Sequence, residues 1–265
     1  MRSGILFALI LAVIVPARAA LAYTDEAQAA RNRSVLPSRF VHLSEVAPDI
    51  VQDIRYAGYH NFLGRPVAGY ESAQCILTKD AAEALKAVQK ELNASGLGLM
   101  VYDCYRPTRA VQDFMNWSRN PQDQIAKNEF YPTVDKKDFF ELGYVAKKSS
   151  HSRGSTMDLT IVPFPFKPGE TFSPGQALVP CTAPYEDRFR DGSVDMGTGF
   201  DCMDDRSHAL SDKIPLIAQQ NRMLLRHIME KYGFVPYDAE WWHFTLKAEP
   251  FPNTSFDFTV TEPRK

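Results

Sequence analysis

Two short stretches hold the residues best able to do chemistry. The first is Ser149-Ser150-His151-Ser152-Arg153-Gly154-Ser155-Thr156-Met157-Asp158, an imidazole and a carboxylate set around a glycine with hydroxyls between them. The second, Glu240-Trp241-Trp242-His243, adds another imidazole and another carboxylate. Together they offer two imidazoles, a carboxylate ligand and a spare carboxylate. A catalytic zinc site needs those parts: three protein ligands, an open position for water, and a general base. Zinc suits mixed nitrogen and oxygen ligands, although ligand types alone do not choose among divalent metals. A lone histidine in a hydroxyl-rich loop is ordinarily just solvated, and E-x-x-H spacing is common. The pairing of two ligand-bearing clusters sets this chain apart, together with Arg106, which lies at a strand-to-helix junction where function often sits.

The spacing then constrains the backbone. His151 and Asp158 are seven positions apart, so on one regular strand they would face opposite sides. Gly154 permits a reversal between them, which predicts a turn carrying His151 followed by a strand entry carrying Asp158. Glu240 and His243 also diverge on a straight strand, so a kink or strand start is expected there. The aromatic run Trp241 to Leu246 favours a strand over a helix.

The flanking elements follow from periodicity. Asp49 to Tyr56 and Ser72 to Leu77 read as strands. Ala81, Leu85, Val88 and Leu92 fall at helical spacing from Asp80, with Asp80 and Glu83 as a capping box and Gly96 as the stop. Leu97 to Asp103 reads as a buried strand. A second helix opens at Pro107 or Thr108 with Val111, Phe114, Met115 and Trp117 inward. Leu159 to Val162 is a strand. Residues 163–200 carry six prolines and no strong period, which predicts a flap or rim insertion at the site. Pro215 to Tyr232 is a helix with Leu216, Met223, Leu224, His227, Ile228 and Tyr232 as its inner stripe, leading to a closing strand. The pattern is that of an α+β protein, with residues 23–48 as a polar arm. Among the other candidates, His227 is expected to pack in the core, and His42 and His60 show no partner pattern. His208 is expected to be structural, and Asp204 and Asp205 a solvated run. Asp103 is expected to orient a neighbour, and at least one of Trp241 and Trp242 to be buried.

The chain has 265 residues, is 45% hydrophobic and carries a formal charge of −2. It can build a sizeable core and shows no basic footprint for nucleic acid. Residues 1–22 have the form of a secretory signal peptide. Arg2 precedes the eleven apolar residues Ile5 to Val15, and small-x-small sites follow, with cleavage after Ala19 or Ala22. The apolar run is too short for a span of about twenty residues, so no membrane anchor is expected after cleavage. The expected location is periplasmic or secreted. There the cysteines Cys75, Cys104, Cys181 and Cys202 read as disulfides. Of the three possible pairings, Cys75–Cys104 and Cys181–Cys202 are favoured, against the plainer alternative of four buried thiols.

Several ordered motifs resemble the D-alanyl-D-alanine dipeptidases of VanX type. They are Ser149 to Gly154 with Asp158-Leu159-Thr160, and Glu240-Trp241-Trp242-His243. Asp103-Cys104-Tyr105-Arg106-Pro107 and Asp53-Ile54-Arg55-Tyr56-Ala57 also match, as does Met196 to Asp201 with its continuation to His208. The resemblance covers roughly residues 40–260. It implies one zinc ion per chain held by His151, Asp158 and His243, with Glu240 as general base and acid and Arg106 at the oxyanion. It implies Tyr56, Ser149 and Asp201 around a small dipeptide, Asp201 taking the ammonium group. It further implies a single D,D-dipeptidase domain over residues 23–265 with an antiparallel sheet core flanked by helices, a fold shared with other peptidoglycan D,D-peptidases and the hedgehog zinc domain. The rival readings are a D,D-carboxypeptidase on longer peptidoglycan stems and a non-catalytic zinc-binding cell-wall protein. The cysteines and the 163–200 insertion depart from the family pattern.

Overall fold

The computed structural model describes residues 36–263, so the expected leader and the first half of the expected arm lie outside the described residues. The arm is shorter than its reading. Phe40–His42 (β1) pairs antiparallel with Ile76–Thr78 (β3), and Leu43–Val46 makes a helical turn between them in the chain. The main sheet has five strands in the order β2-β4-β5-β7-β6. These are Val51–Gln52 (β2), Leu97–Asp103 (β4), Thr156–Pro163 (β5), Glu240–Leu246 (β7) and Phe234–Tyr237 (β6). Every pairing is antiparallel except β2 with β4, which is parallel. The mixed α and β content agrees with an α+β class.

The helices follow their apolar spacing in two of three cases. Lys79–Asn93 (α1) buries Ala81, Leu85, Val88 and Leu92. It has no capping box, because it starts one residue earlier, after Thr78. The Thr78 hydroxyl bonds Ser155 Oγ at 2.7 Å, and Asp80 pairs with Arg39 at 2.9 Å. Thr108–Ser118 (α2) follows Pro107 and turns Val111, Phe114, Met115 and Trp117 inward. Leu216–Lys231 (α3) is rotated from its expected stripe. Its buried residues are Ala218, Arg222, Leu225, Ile228 and Met229, while Leu216 is 68% exposed and His227 is exposed. The cause is Arg222, whose guanidinium donates inward to the carbonyls of Met196 (2.6 Å), Arg206 (2.8 Å) and His208 (2.7 Å). A charged side chain can be buried when its donors are met, and here it displaces Leu224 and His227 from the core.

The strand expected over 49–56 shrinks to β2 and ends in a 3-10 turn, Arg55–Ala57. That turn sends Arg55 and Tyr56, both buried, into different environments. Between β5 and the turn Asp205–Ser207 the described residues form no helix or strand. The segment is tied down instead by the Cys181–Cys202 disulfide, and Cys75–Cys104 joins β3 to the end of β4.

Candidate active site

Strand register builds the floor of the site. Asp158 on β5 lies opposite His243 on β7 and opposite Asp103 on β4. Directly opposed residues share a face, so the three side chains stand in a row. A register shift between Val101 and Asp103 is what brings Asp103 rather than Tyr102 opposite Asp158. Tyr102 is turned the other way, to donate to Asp191 at 2.7 Å.

His151 enters from the 3-10 turn Ser150–Arg153, which Ser149 caps by accepting the His151 N–H at 3.3 Å. Gly154 ends the turn at φ 85°, and a Cβ there would lie 2.1 Å from Phe40 Cε1, so no larger residue fits. Glu240 and His243 meet despite their spacing, because β7 shifts register against β6 between Pro236 and Tyr237. The Glu240 carboxylate lies 3.4 Å from His243 Nδ1. The expected turn and the expected kink are both present.

Three ligand atoms converge. His151 Nε2, His243 Nδ1 and Asp158 Oδ1 stand 3.1–3.3 Å from one another. A second partner fixes the tautomer of His151. His151 Nδ1 donates to the Cys104 carbonyl at 2.7 Å, which leaves its Nε2 bare and facing the cluster. The other His243 nitrogen faces Ser150 Oγ at 3.1 Å. The bare His151 nitrogen, His243 Nδ1 and a carboxylate oxygen aimed at one point suit a divalent cation. Burial alone would raise Asp158, but His151 and His243 hold it well below the usual carboxylate range. Burial lowers His243, and Asp158 and Glu240 more than offset this to raise it.

Arg106 lies at the junction of β4 and α2. Its Nε donates to Asp103 at 2.8 Å and one Nη is 3.4 Å from Asp158. The guanidinium packs against the rings of Tyr56 (5.0 Å) and Phe114 (5.1 Å). Its other Nη has no protein acceptor among the described residues. Asp103 orients Arg106, as expected, and also accepts from Tyr70 OH at 2.6 Å. Tyr70 carries no sequence signal, since only the folded chain brings it there.

Tyr56 donates to Asp201 at 2.6 Å. Asp201 holds φ 57°, an uncommon conformation for a non-glycine residue, just before the disulfide at Cys202. Burial first, then Asp158, pushes its carboxyl well above the usual range; Tyr56 and Arg106 offset this only in part. Burial also raises Glu240. Tyr56, Arg106, Ser149, Asp201, Glu240 and the three ligand residues all line one cavity of about 300 Å³. The structure therefore brings every sequence-derived site residue to one place. Of the bystanders, both Trp241 and Trp242 are buried, and His208 is exposed. His42 and His60 are buried and bonded, although the sequence shows no partner for either: His42 Nε2 meets the Thr261 carbonyl at 2.8 Å. Asp205 is exposed, but Asp204 is not solvated as expected. It caps the turn by accepting from Arg206 N at 3.0 Å.

This geometry agrees with the comparisons to known proteins. The Peptidase_M15 family model, described as D-ala-D-ala dipeptidase, matches residues 37–163 and 168–261. The D-alanyl-D-alanine dipeptidase of Enterococcus faecium is 41% identical over 221 residues, covering 83% of this chain and 98% of that protein. Those of Streptomyces coelicolor (38%, covering 83% of this chain and 98% of that protein) and Escherichia coli (34%, covering 84% and 92%) are also similar to it. With the matched residues spanning all the ligand-bearing strands and the cavity they floor, this chain belongs to the D-alanyl-D-alanine dipeptidase family of metallopeptidases.

Proposed function

We propose that this chain is an exported zinc dipeptidase that hydrolyses D-alanyl-D-alanine to two D-alanine molecules. The observation that carries the reading is the convergence of His151, Asp158 and His243 on the floor of a small cavity that also holds an acid, an arginine and a carboxylate with no ion pair among the described residues. At about 300 Å³ the cavity is at the low end for small-molecule sites. His151, Asp158 and His243 would hold the zinc, which when bound supplies Lewis acidity and a more acidic water.

The chain's own groups do the rest. Glu240, raised by burial, sits beside the ligand cluster as the base that takes a proton from the attacking water and hands it to the departing amine. Arg106 is held rigidly by Asp103 and Asp158 and directs its free Nη at the developing oxyanion. Asp201 is a buried carboxylate whose partner is a neutral phenol. A substrate ammonium supplies the missing countercharge, so the site favours a free amino terminus. Ser149 stands at the cavity wall to meet the rest of the dipeptide. The same reading carries kinship in fold with peptidoglycan D,D-peptidases and the hedgehog zinc domain.

Export rests on residues 1–22 and on the two disulfides, which belong to oxidising compartments. A periplasmic or secreted enzyme would meet dipeptide released in peptidoglycan turnover. No helix among the described residues is long and apolar enough to cross a membrane. Cell fractionation with N-terminal sequencing tests export; an uncleaved cytoplasmic product would end it.

The activity test is zinc-dependent release of D-alanine from D-Ala-D-Ala, run beside the N-acetylated dipeptide. Cleavage of the free-amine peptide alone is expected. Cleavage of both would point to a carboxypeptidase, and cleavage of neither with zinc bound would point to a binding protein.

A further inference from the structure

We propose that a second cavity, beside the catalytic one, is a carboxylate subsite. Through it the enzyme would accept dipeptides whose departing residue carries an acidic side chain. This rests on the dipeptidase reading of the catalytic cavity.

The second cavity measures about 410 Å³ and lies between the first turns of α2, the segment Lys147–Ser152 and the stretch from Ser255 to Asp257. It shares Val111, Lys148 and Ser149 with the catalytic cavity, but neither Tyr56 nor Asp201 lines it. A dipeptide whose ammonium rests on Asp201 would reach this cavity with its carboxyl-terminal residue, across the shared wall.

The lining is cationic once its internal pairs are removed. Its one carboxylate, Asp257, is matched by Arg109, which donates to it from Nε at 3.1 Å and Nη2 at 2.9 Å. Lys147 and Lys148 remain, both exposed and with no ion pair among the described residues. The other polar groups include hydroxyls, those of Thr108, Ser149, Ser152 and Ser255. Ser152 lies inside the 3-10 turn that Ser149 caps. Ser152 is buried and its Oγ has no hydrogen-bond partner, although buried polar atoms are ordinarily paired. Ammonium and hydroxyl donors without an anion match a carboxylate, which only accepts. A neutral amide of the same size gains the hydroxyls but not the charge.

The test uses the metal-loaded mature enzyme with D-Ala-D-Glu, its neutral isostere D-Ala-D-Gln, and D-Ala-D-Ala as reference. The lysines are exposed, so the expected preference in kcat/KM for the Glu peptide over the Gln peptide is about fivefold at low salt. That preference should shrink as ionic strength rises. In the Lys147→Gln/Lys148→Gln double variant the ratio should fall to about one. A ratio of one in the wild type, or an unchanged ratio in the variant, overturns the subsite. So does cleavage of D-Ala-D-Ala with refusal of both dipeptides that carry the larger side chain. Failure on all three overturns the dipeptidase reading, and the subsite with it.

Discussion

Two buried polar clusters flank the end of β4, and chain neighbours feed them both. Tyr102 and Arg55 serve one; Asp103 and Tyr56 serve the other. In the first cluster every strong donor finds an acceptor. Arg55 reaches Asp53 (2.6 Å), His60 (2.8 Å) and Asp191 (2.8 Å), and His60 passes its remaining N–H to Glu129 at 2.9 Å. His60 is also stacked on Phe172, with ring centroids 4.4 Å apart. The second cluster, the open one, keeps groups that the protein itself does not pair: His151, Asp158 and His243 aim ligand atoms at one point, Asp201 is partnered by a neutral phenol, and one Arg106 nitrogen has no protein acceptor among the described residues. Yet the cavity beside the closed cluster is the larger, about 490 Å³ against about 300 Å³. Unmet valence, not volume, separates a site for chemistry from a structural network.

Substitution should split the two clusters along that line. Glu240→Ala is expected to lower kcat by roughly 10³–10⁴-fold while metal content, measured on the purified protein, stays at one ion per chain. Retained turnover would show that the open cluster has some other base. Arg106→Met should cost roughly 10²–10³-fold in kcat with a smaller change in KM, as expected of a group that acts on the transition state. At the closed cluster the effect moves from rate to stability. Arg55→Met leaves Asp191 buried beside an empty space and should destabilise by about 3–5 kcal/mol in denaturant unfolding, with kcat per folded molecule within about threefold. A large loss of kcat without loss of stability would mean that this cluster takes part in the reaction.

The smallest expected effect is the closed cluster's own contribution to the pH dependence of stability. Burial raises Glu129 to about 8 from an ordinary 4.5, and burial with Arg55 lowers His60 to about 2 from 6.5. The Glu129 contribution is complete below about 4.5 and is lost as pH rises through about 8. The His60 contribution is present above about 6.5 and is lost as pH falls toward about 2. The two oppose each other between 4.5 and 6.5, so Glu129 stands alone above that range. Melting temperature should therefore fall between pH 6.5 and 8, and Glu129→Gln should flatten that limb. An unchanged limb in the variant would assign it elsewhere.

The open cluster was far more legible in the sequence than the closed one. His151, Asp158, Glu240 and His243 are chemically distinctive residue types in two compact stretches, and their awkward spacings demanded the turn and the kink that the backbone makes. The closed cluster draws on Asp53, Arg55, His60, Tyr102, Glu129 and Asp191, scattered over much of the chain with no motif to link them. His60 accordingly looked like a bystander. His227 erred in the opposite sense, because the inward pull of Arg222 on α3 depends on carbonyls from distant loops.

Residue types and local spacing were enough for the available donor atoms and the inner faces of α1 and α2. Those depend on periodicity and on chemistry that each residue carries alone. Tertiary structure decided the bulge that puts Asp103 beside Asp158, the carbonyl of Cys104 that leaves His151 Nε2 bare, and the phenol of Tyr56 on Asp201. It also decided which face of α3 is buried and which polar cluster is closed. Each of these is a contact between residues distant in the chain. Whether a polar group ends up paired or left open depends on what the fold brings against it, which local pattern does not encode.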